Sequence, residues 1–157
     1  LKAFKEITKN ISSELLLIGY GTNKTKIQNF ITENKMINKI KILDYQQNPF
    51  KFINKSDILI LTSKFEGLPN VLLEALTLKK FVISTNCPTG PKEILKNGKY
   101  GFLFKIQNHK RLAKLVLKYS KKKNAYKNKI LSGYNSLDRF DLNVNCKKYY
   151  NEILKIL

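Results

Sequence analysis

Asp57-Ile58-Leu59-Ile60-Leu61 runs into Thr62-Ser63-Lys64-Phe65-Glu66-Gly67-Leu68-Pro69-Asn70-Val71-Leu72-Leu73-Glu74-Ala75. The first five residues read as a strand that is apolar on both faces, as a strand in the middle of a parallel sheet must be. The segment after the loop reads as a helix from about Pro69 to Lys79. Proline suits a first helical turn, where its missing N–H costs nothing. Leu72, Leu73 and Leu76 then fall on one face at the helical period. Parallel sheets bind ligands beyond the carboxyl ends of their strands. The loop between Leu61 and the helix is therefore the first place to look for chemistry.

The rest of the chain repeats the alternation. Leu15–Ile18, Lys39–Leu43, Phe81–Ser84 and Tyr100–Phe104 read as further strands. Helices are predicted over about 23–35, 48–54, 93–96, 108–120, 124–136 and 142–156. Strand–helix alternation predicts an α/β class: a Rossmann-like parallel sheet flanked by helices, with residues 1–157 as one domain. No internal repeat or linker interrupts it. The usual strand order in such a fold is 3-2-1-4-5-6. The chain opens in what reads as a helix.

Composition narrows the function. Formal net charge is +19, from 28 Lys and 2 Arg against 11 acids. Nucleic-acid recognition favours the planar, bidentate fork of Arg, so this lysine-dominated balance argues against a nucleic-acid partner. Lys, Asn and Ile make up 62 of 157 residues, and their codons are AT-rich, so base composition alone produces much of the charge. Attraction to an anionic membrane surface needs only Lys and is retained. No apolar run reaches the roughly 18 residues of a membrane span, and Leu1-Lys2-Ala3-Phe4-Lys5 lacks the apolar stretch of a leader. The expected place is the cytoplasm, at most peripheral at the inner membrane face. Cys87 and Cys146 form no disulfide framework. Cys87 reads as a small buried filler, His109 as a surface residue near a helix start, Lys121-Lys122-Lys123 as a solvated turn, and Tyr149 and Tyr150 as packing residues.

Two loops carry glycines or carboxylates worth weighing. Gly19-Tyr20-Gly21 has Lys24 where a dinucleotide fingerprint needs its third glycine, so a nicotinamide cofactor is excluded. In the loop after Leu61, Glu66 and Glu74 stand eight residues apart. The first-turn N–H groups of the following helix lack helical acceptors and, with the dipole, suit an anion such as a diphosphate. A carboxylate accepts bonds from sugar hydroxyls. Together these describe a nucleotide-sugar. The plainer reading, Glu66 as a surface acid and Glu74 as a partner of the helix dipole, stays open on the residues alone.

Ser63 to Ala75, read with Asn86-Cys87-Pro88-Thr89-Gly90-Pro91-Lys92-Glu93-Ile94-Leu95 and Asn97-Gly98-Lys99-Tyr100-Gly101, resembles the carboxyl-terminal domain of retaining GT-B glycosyltransferases of family 4. Glu66 and Glu74 match the E-x7-E signature in a Glu-Gly-Leu-Pro-Asn context, and the resemblance covers essentially the whole chain. It implies that Glu74 binds ribose hydroxyls and that Glu66 holds the donor sugar near the reacting carbon. Gly67, Leu68, Pro69 and Asn70 would line the sugar and diphosphate pocket, and Asp44, Tyr45 and Gln46 would border the base. Glu93 is either a pocket residue or a first-turn helix acid. The implied reaction is transfer of a hexosyl or N-acetylhexosaminyl group, with retention, to an acceptor hydroxyl in surface-polysaccharide or lipid-linked glycan synthesis.

No cofactor and no metal are expected, and no D-x-D pair exists; the donor is a substrate, a UDP-sugar ahead of a GDP-sugar. The family's diphosphate-gripping Arg and Lys precede the helix in which this chain opens, and Arg111 and Arg139 lie far along the chain from the loop. The resemblance implies that the strand before that helix, the central one of the order 3-2-1-4-5-6, is absent too, so Leu15–Ile18 and Asp57–Leu61 should border a vacancy. The amino-terminal acceptor domain is expected to be absent as well, so the chain reads as a fragment inactive by itself. The glycan or lipid-linked acceptor would be reached through that domain. A nucleotide-sugar epimerase fits poorly with a single His. The alternative from another class is a basic non-enzymatic module on membrane or nucleic acid. Cys146, Tyr150, Ile153 and Leu157, widened by Leu154, form one helical stripe. In this architecture the last helix packs on the amino-terminal domain, so part of the stripe should lie uncovered.

Overall fold

The computed structural model describes residues 1–156. In chain order the elements are α1 (Lys2–Ile7), β1 (Leu15–Ile18), α2 (Lys24–Glu33), β2 (Ile40–Leu43), α3 (Phe50–Lys55), β3 (Ile58–Leu61), α4 (Asn70–Thr77), β4 (Phe81–Thr85), α5 (Pro91–Ile94), β5 (Phe102–Phe104), α6 (His109–Lys121), α7 (Lys127–Tyr134) and α8 (Leu142–Leu154). Short 3₁₀ turns at Lys123–Tyr126 and Leu137–Phe140 lead into α7 and α8. The class is α/β, with parallel strands flanked by helices, as the alternation predicts.

The sheet is in two pieces. β1 pairs with β2, and β3, β4 and β5 pair in that order, all parallel. No ladder joins β1 to β3 among the described residues. The break falls between Leu15–Ile18 and Asp57–Leu61, where the expected order places it. α1 spans it: Ala3 and Ile7 pack with β4 and α6, while Phe4 packs with Ile31, Met36 and Ile40.

The sequence reading made Asp57–Leu61 the fully covered middle strand, and the structure corrects this. All four residues of β3 are half-buried, whereas all five of β4 are buried. β3 is an edge strand of its three-stranded piece, so solvent reaches it from the side; β4 has a neighbour on each side. β4 is the centre of two cores. Phe81 and Ile83 face Leu112, Leu115, Val116 and Tyr119 of α6. Val82 faces Leu72, Ala75 and Leu76 of α4. Phe81 stacks on Tyr119 with centroids 4.2 Å apart and meets Phe102 edge-on at 4.9 Å, an arrangement worth about 0.5–1.5 kcal/mol per pair beyond burial.

The carboxyl-terminal third departs from the predicted helices. The 124–136 helix is a 3₁₀ turn followed by α7, and Gly133 lets α7 approach Leu76 and Tyr100; a Cβ there would sit 2.8 Å from Leu76 Cδ2. Asp141 caps α8, accepting from the Val144 N–H at 2.9 Å. α8 has no buried residue. Tyr149 is 73% exposed and Tyr150 62%, so neither packs as the sequence reading had it; Ile153 is 56% exposed. Leu157, the end of the predicted stripe, lies outside the described residues.

Candidate functional site

The carboxyl ends of the strands carry two pairs of tied loops. After β3 and β4 the ties are dense. Thr85 Oγ1 donates to the Ser63 carbonyl at 2.7 Å, and Thr89 Oγ1 donates to the Glu66 carbonyl. Gly90 sits at φ +75°, and a Cβ there would lie 2.4 Å from both Gly67 O and Pro69 Cδ. Only glycine takes this backbone shape at so close an approach. The loop of Glu66 is therefore held by the loop of Asn86–Gly90. Pro69 is buried and ends the loop; α4 starts at Asn70 rather than at the proline. The N–H groups of Asn70 and Val71 have no backbone acceptor among the described residues, and no side chain caps the helix.

Between these loops lies an open cleft of about 730 Å³, within the usual range for small-molecule sites. Of the residues read from the sequence it gathers Gly67, Leu68 and Glu93. It adds Asn86, Cys87, Thr89, Lys92 and Asn97. Glu93 lines the cleft and is also the first-turn acid of α5. Cys87 is 3% exposed, a filler in the cleft wall. Glu66 and Glu74 are half-buried and engage in no ion pair or side-chain hydrogen bond among the described residues. Neither lines this cleft, nor do Pro69 and Asn70.

The loops after β1 and β2 form the second pair. Lys24 Nζ reaches Asp44 Oδ1 at 2.7 Å, and Tyr20 meets Tyr45 edge-on with centroids 6.4 Å apart. Both rings are largely exposed. Asp44, Tyr45 and Gln46 thus sit on a loop at the carboxyl edge, but outside the cleft of Gly67 and Glu93. Tyr20 was passed over because its loop was read only for glycines.

Two cations near the cleft were also missed. Lys92 lines it; its neighbour Glu93 drew attention as an acid, and the signal was one residue away. Arg139, distant along the chain, folds back to α5: its guanidinium donates to the Glu93 carbonyl at 3.3 Å and the Ile94 carbonyl at 3.1 Å. It supports the cleft wall from behind through backbone, which no sequence spacing could reveal.

An α/β domain of parallel strands flanked by helices gathers its ligand-facing loops at the carboxyl edge of the sheet, where the tied loops, Glu66, Glu74 and the uncapped start of α4 lie. Residues 1–135 match the family described as Glycosyl transferases group 1, and the chain belongs to that family. It is 39% identical over 119 residues to an uncharacterized glycosyltransferase of Methanocaldococcus jannaschii, covering 67% of this chain and 29% of that protein. It is 28% identical over 139 residues to a Campylobacter jejuni N-acetylgalactosaminyltransferase acting on a diphospho-undecaprenol-linked glycan, covering 87% and 38%. The fold matches Anabaena HepE in complex with UDP-glucose with a TM-score of 0.82 at 20% identity, covering 99% of this chain and 44% of that one. The chain spans about a third of the length of the curated relatives it matches.

Proposed function

We propose that this chain is the donor-binding part of a retaining, family 4 glycosyltransferase. It takes a nucleoside diphosphate-sugar, a UDP-sugar ahead of a GDP-sugar. The observation that carries the reading is the placement of Glu66 and Glu74 on either side of the Gly67–Asn70 turn, where α4 begins with free N–H groups. In this reading the first turn of α4 and Lys92 face the diphosphate. Glu74 accepts bonds from the ribose hydroxyls and Glu66 from the donor sugar. The exposed Tyr20–Tyr45 pair, with Asp44 and Gln46, borders the base.

The reaction breaks the bond between the sugar's anomeric carbon and the diphosphate oxygen and forms one to an acceptor hydroxyl oxygen. The hydroxyl proton leaves with the departing diphosphate, whose charge must be met by protein dipoles and cations. No metal or cofactor takes part in this proposal. The names of the relatives support an acceptor in polysaccharide or lipid-linked glycan synthesis, and in this reading the transfer takes place at the inner face of a membrane. No helix among the described residues is long and apolar enough to cross one.

The test is calorimetric titration of the chain with UDP, UDP-glucose, UDP-N-acetylglucosamine and GDP-mannose. Uridine compounds should bind, and Glu74→Gln should weaken them. Heat traces without saturation for every nucleotide would remove the reading.

A further inference from the structure

We infer that the outward face of α1 and α6 is a docking surface for an anionic lipid membrane. The inference deepens the reading above, which puts the acceptor at a membrane, by naming the surface that meets it. Between Glu93 and Asp138 the chain holds twelve Lys or Arg and no acid. Chain-wide base composition raises lysine everywhere; it does not clear acids from one stretch.

α6 sorts these charges onto one side. Leu112, Ala113, Leu115, Val116 and Tyr119 are buried against β4 and α1. Lys110, Lys114, Lys118 and Lys121 recur at spacings of four, four and three, which is a single helical stripe, and all four are exposed. None is in an ion pair among the described residues. From Lys110 to Lys121 the stripe is about 17 Å long. α1 lies along α6, buries Ala3, Phe4 and Ile7, and turns Lys2 and Lys5 outward. The acids that do occur here are already engaged: Glu6 with Lys9 at 3.1 Å and Asp57 with Lys123 at 2.6 Å.

The chemistry of this face selects lipid over polynucleotide. Its cations are Lys apart from Arg111, point charges that suit headgroups but lack the bidentate fork used on bases. Phe4 and Tyr119 are buried, and the half-buried Phe102 lies under Lys118, whose Nζ is 5.5 Å from its centroid, so the face offers no open ring for base stacking. The face is also separate from the crevice. Asp44, Glu66, Glu74 and Glu93 lie at or just beyond the carboxyl ends of the strands, whereas the stripe runs along the outer side of a helix layer. A membrane held there leaves the crevice open.

The experiment is co-sedimentation of the 157-residue chain with vesicles of phosphatidylglycerol and phosphatidylcholine, and of phosphatidylcholine alone, at about 0.1 M salt. Binding should need phosphatidylglycerol and fade with added salt. The triple variant Lys110→Glu, Lys114→Glu, Lys121→Glu should weaken partitioning by about a hundredfold or more, since each surface lysine contributes near tenfold or somewhat less. Lys51→Glu, Lys55→Glu, Lys148→Glu carries the same change of net charge on other exposed positions and should retain most binding. Circular dichroism and nucleotide titration of both triples show that fold and crevice are intact. Equal loss in both triples, equal binding to phosphatidylcholine alone, or tighter binding to duplex DNA or RNA than to the vesicles would each overturn the assignment. If no nucleotide binds while the vesicle result holds, the donor-site reading fails and this surface stands.

Discussion

Glu74 and Glu66 ask different questions of the same turn. Glu74 sits one turn into α4, and its hydrogen bonds to ribose would be charge-assisted, each worth about 1.5–3 kcal/mol. Glu74→Gln is expected to weaken donor binding by about tenfold or more in titration. Glu66→Gln in the intact transferase should lower turnover more than donor affinity, because its partner is the sugar that moves; kcat and KM measured separately distinguish the two. The glycines of the paired loops give a structural counterpart. Gly90→Ala would put a Cβ 2.4 Å from Gly67 O at φ +75°, so a loss of about 1–3 kcal/mol is expected from strain and overlap. A Cβ on Gly67 meets nothing within 4 Å, so Gly67→Ala should leave the melting temperature nearly unchanged. Both carboxylates and the turn between them could be read from the sequence, because their spacing survives as text. Lys92, Tyr20 and Arg139 could not. Lys92 and Tyr20 join the edge only when loops from separate strands converge, and Arg139 acts on carbonyls that any residue would present.

Elements followed the hydrophobic pattern closely, and their burial did not. All five strands were legible as apolar runs, since β-branched and apolar residues cluster wherever a strand is half or fully covered. The same logic cannot rank them: Ile58–Leu61 is as apolar as Phe81–Ser84, yet among the described residues only β4 has a neighbour on each side. The tie between Asp57, just before β3, and Lys123, just after α6, is equally invisible to local pattern, being 66 residues apart. It gives the element layer a pH signature. The hydrogen bond to Asp57 raises the Lys123 pKa, and desolvation raises that of Tyr119 in the stacked cluster. A group whose folded pKa lies above its unfolded value adds stability that is complete below the unfolded pKa and is lost as pH rises through the folded one. Both groups therefore predict weakening that starts near pH 10. Lys129 opposes this: its lowered pKa is a cost at neutral pH that disappears on deprotonation. Chemical denaturation at pH 8 and above pH 10.5 should show a loss of stability that is smaller in Tyr119→Phe, which keeps the stack on Phe81 and removes the ionisation. An equal loss in both proteins would place the alkaline sensitivity elsewhere.

At the scale of the molecule, two features leave apolar or hydrogen-bonding surface without a partner. One is the break between β1 and β3, across which no ladder forms; the other is α8. The sheet break was expected by combining strand order with the family resemblance, which sets the start of this sequence after the first, central strand. Periodicity supplied the stripe of α8, which is as regular as that of α6; its exposure was expected only from the family resemblance, in which the last helix packs on the amino-terminal domain. On the structure α8 touches little beyond the Leu137–Phe140 turn, with Leu142, Tyr149, Tyr150, Ile153 and Leu154 each more than half exposed. Covering one such side chain is worth about 1.5–3 kcal/mol, so several on one helix favour association even against a net charge of +19. The isolated chain is therefore expected to self-associate, and more so as salt screens the repulsion. Sedimentation equilibrium at about 0.05 and 0.5 M salt measures this. Tyr150→Ser with Ile153→Ser should shift the equilibrium toward monomer with little change in melting temperature, because neither side chain is buried within the chain. If that variant associates as strongly as the parent, the exposed edges of β1 and β3 are the contact instead, and a peptide able to add a strand there should dissociate the oligomer where the α8 substitutions do not.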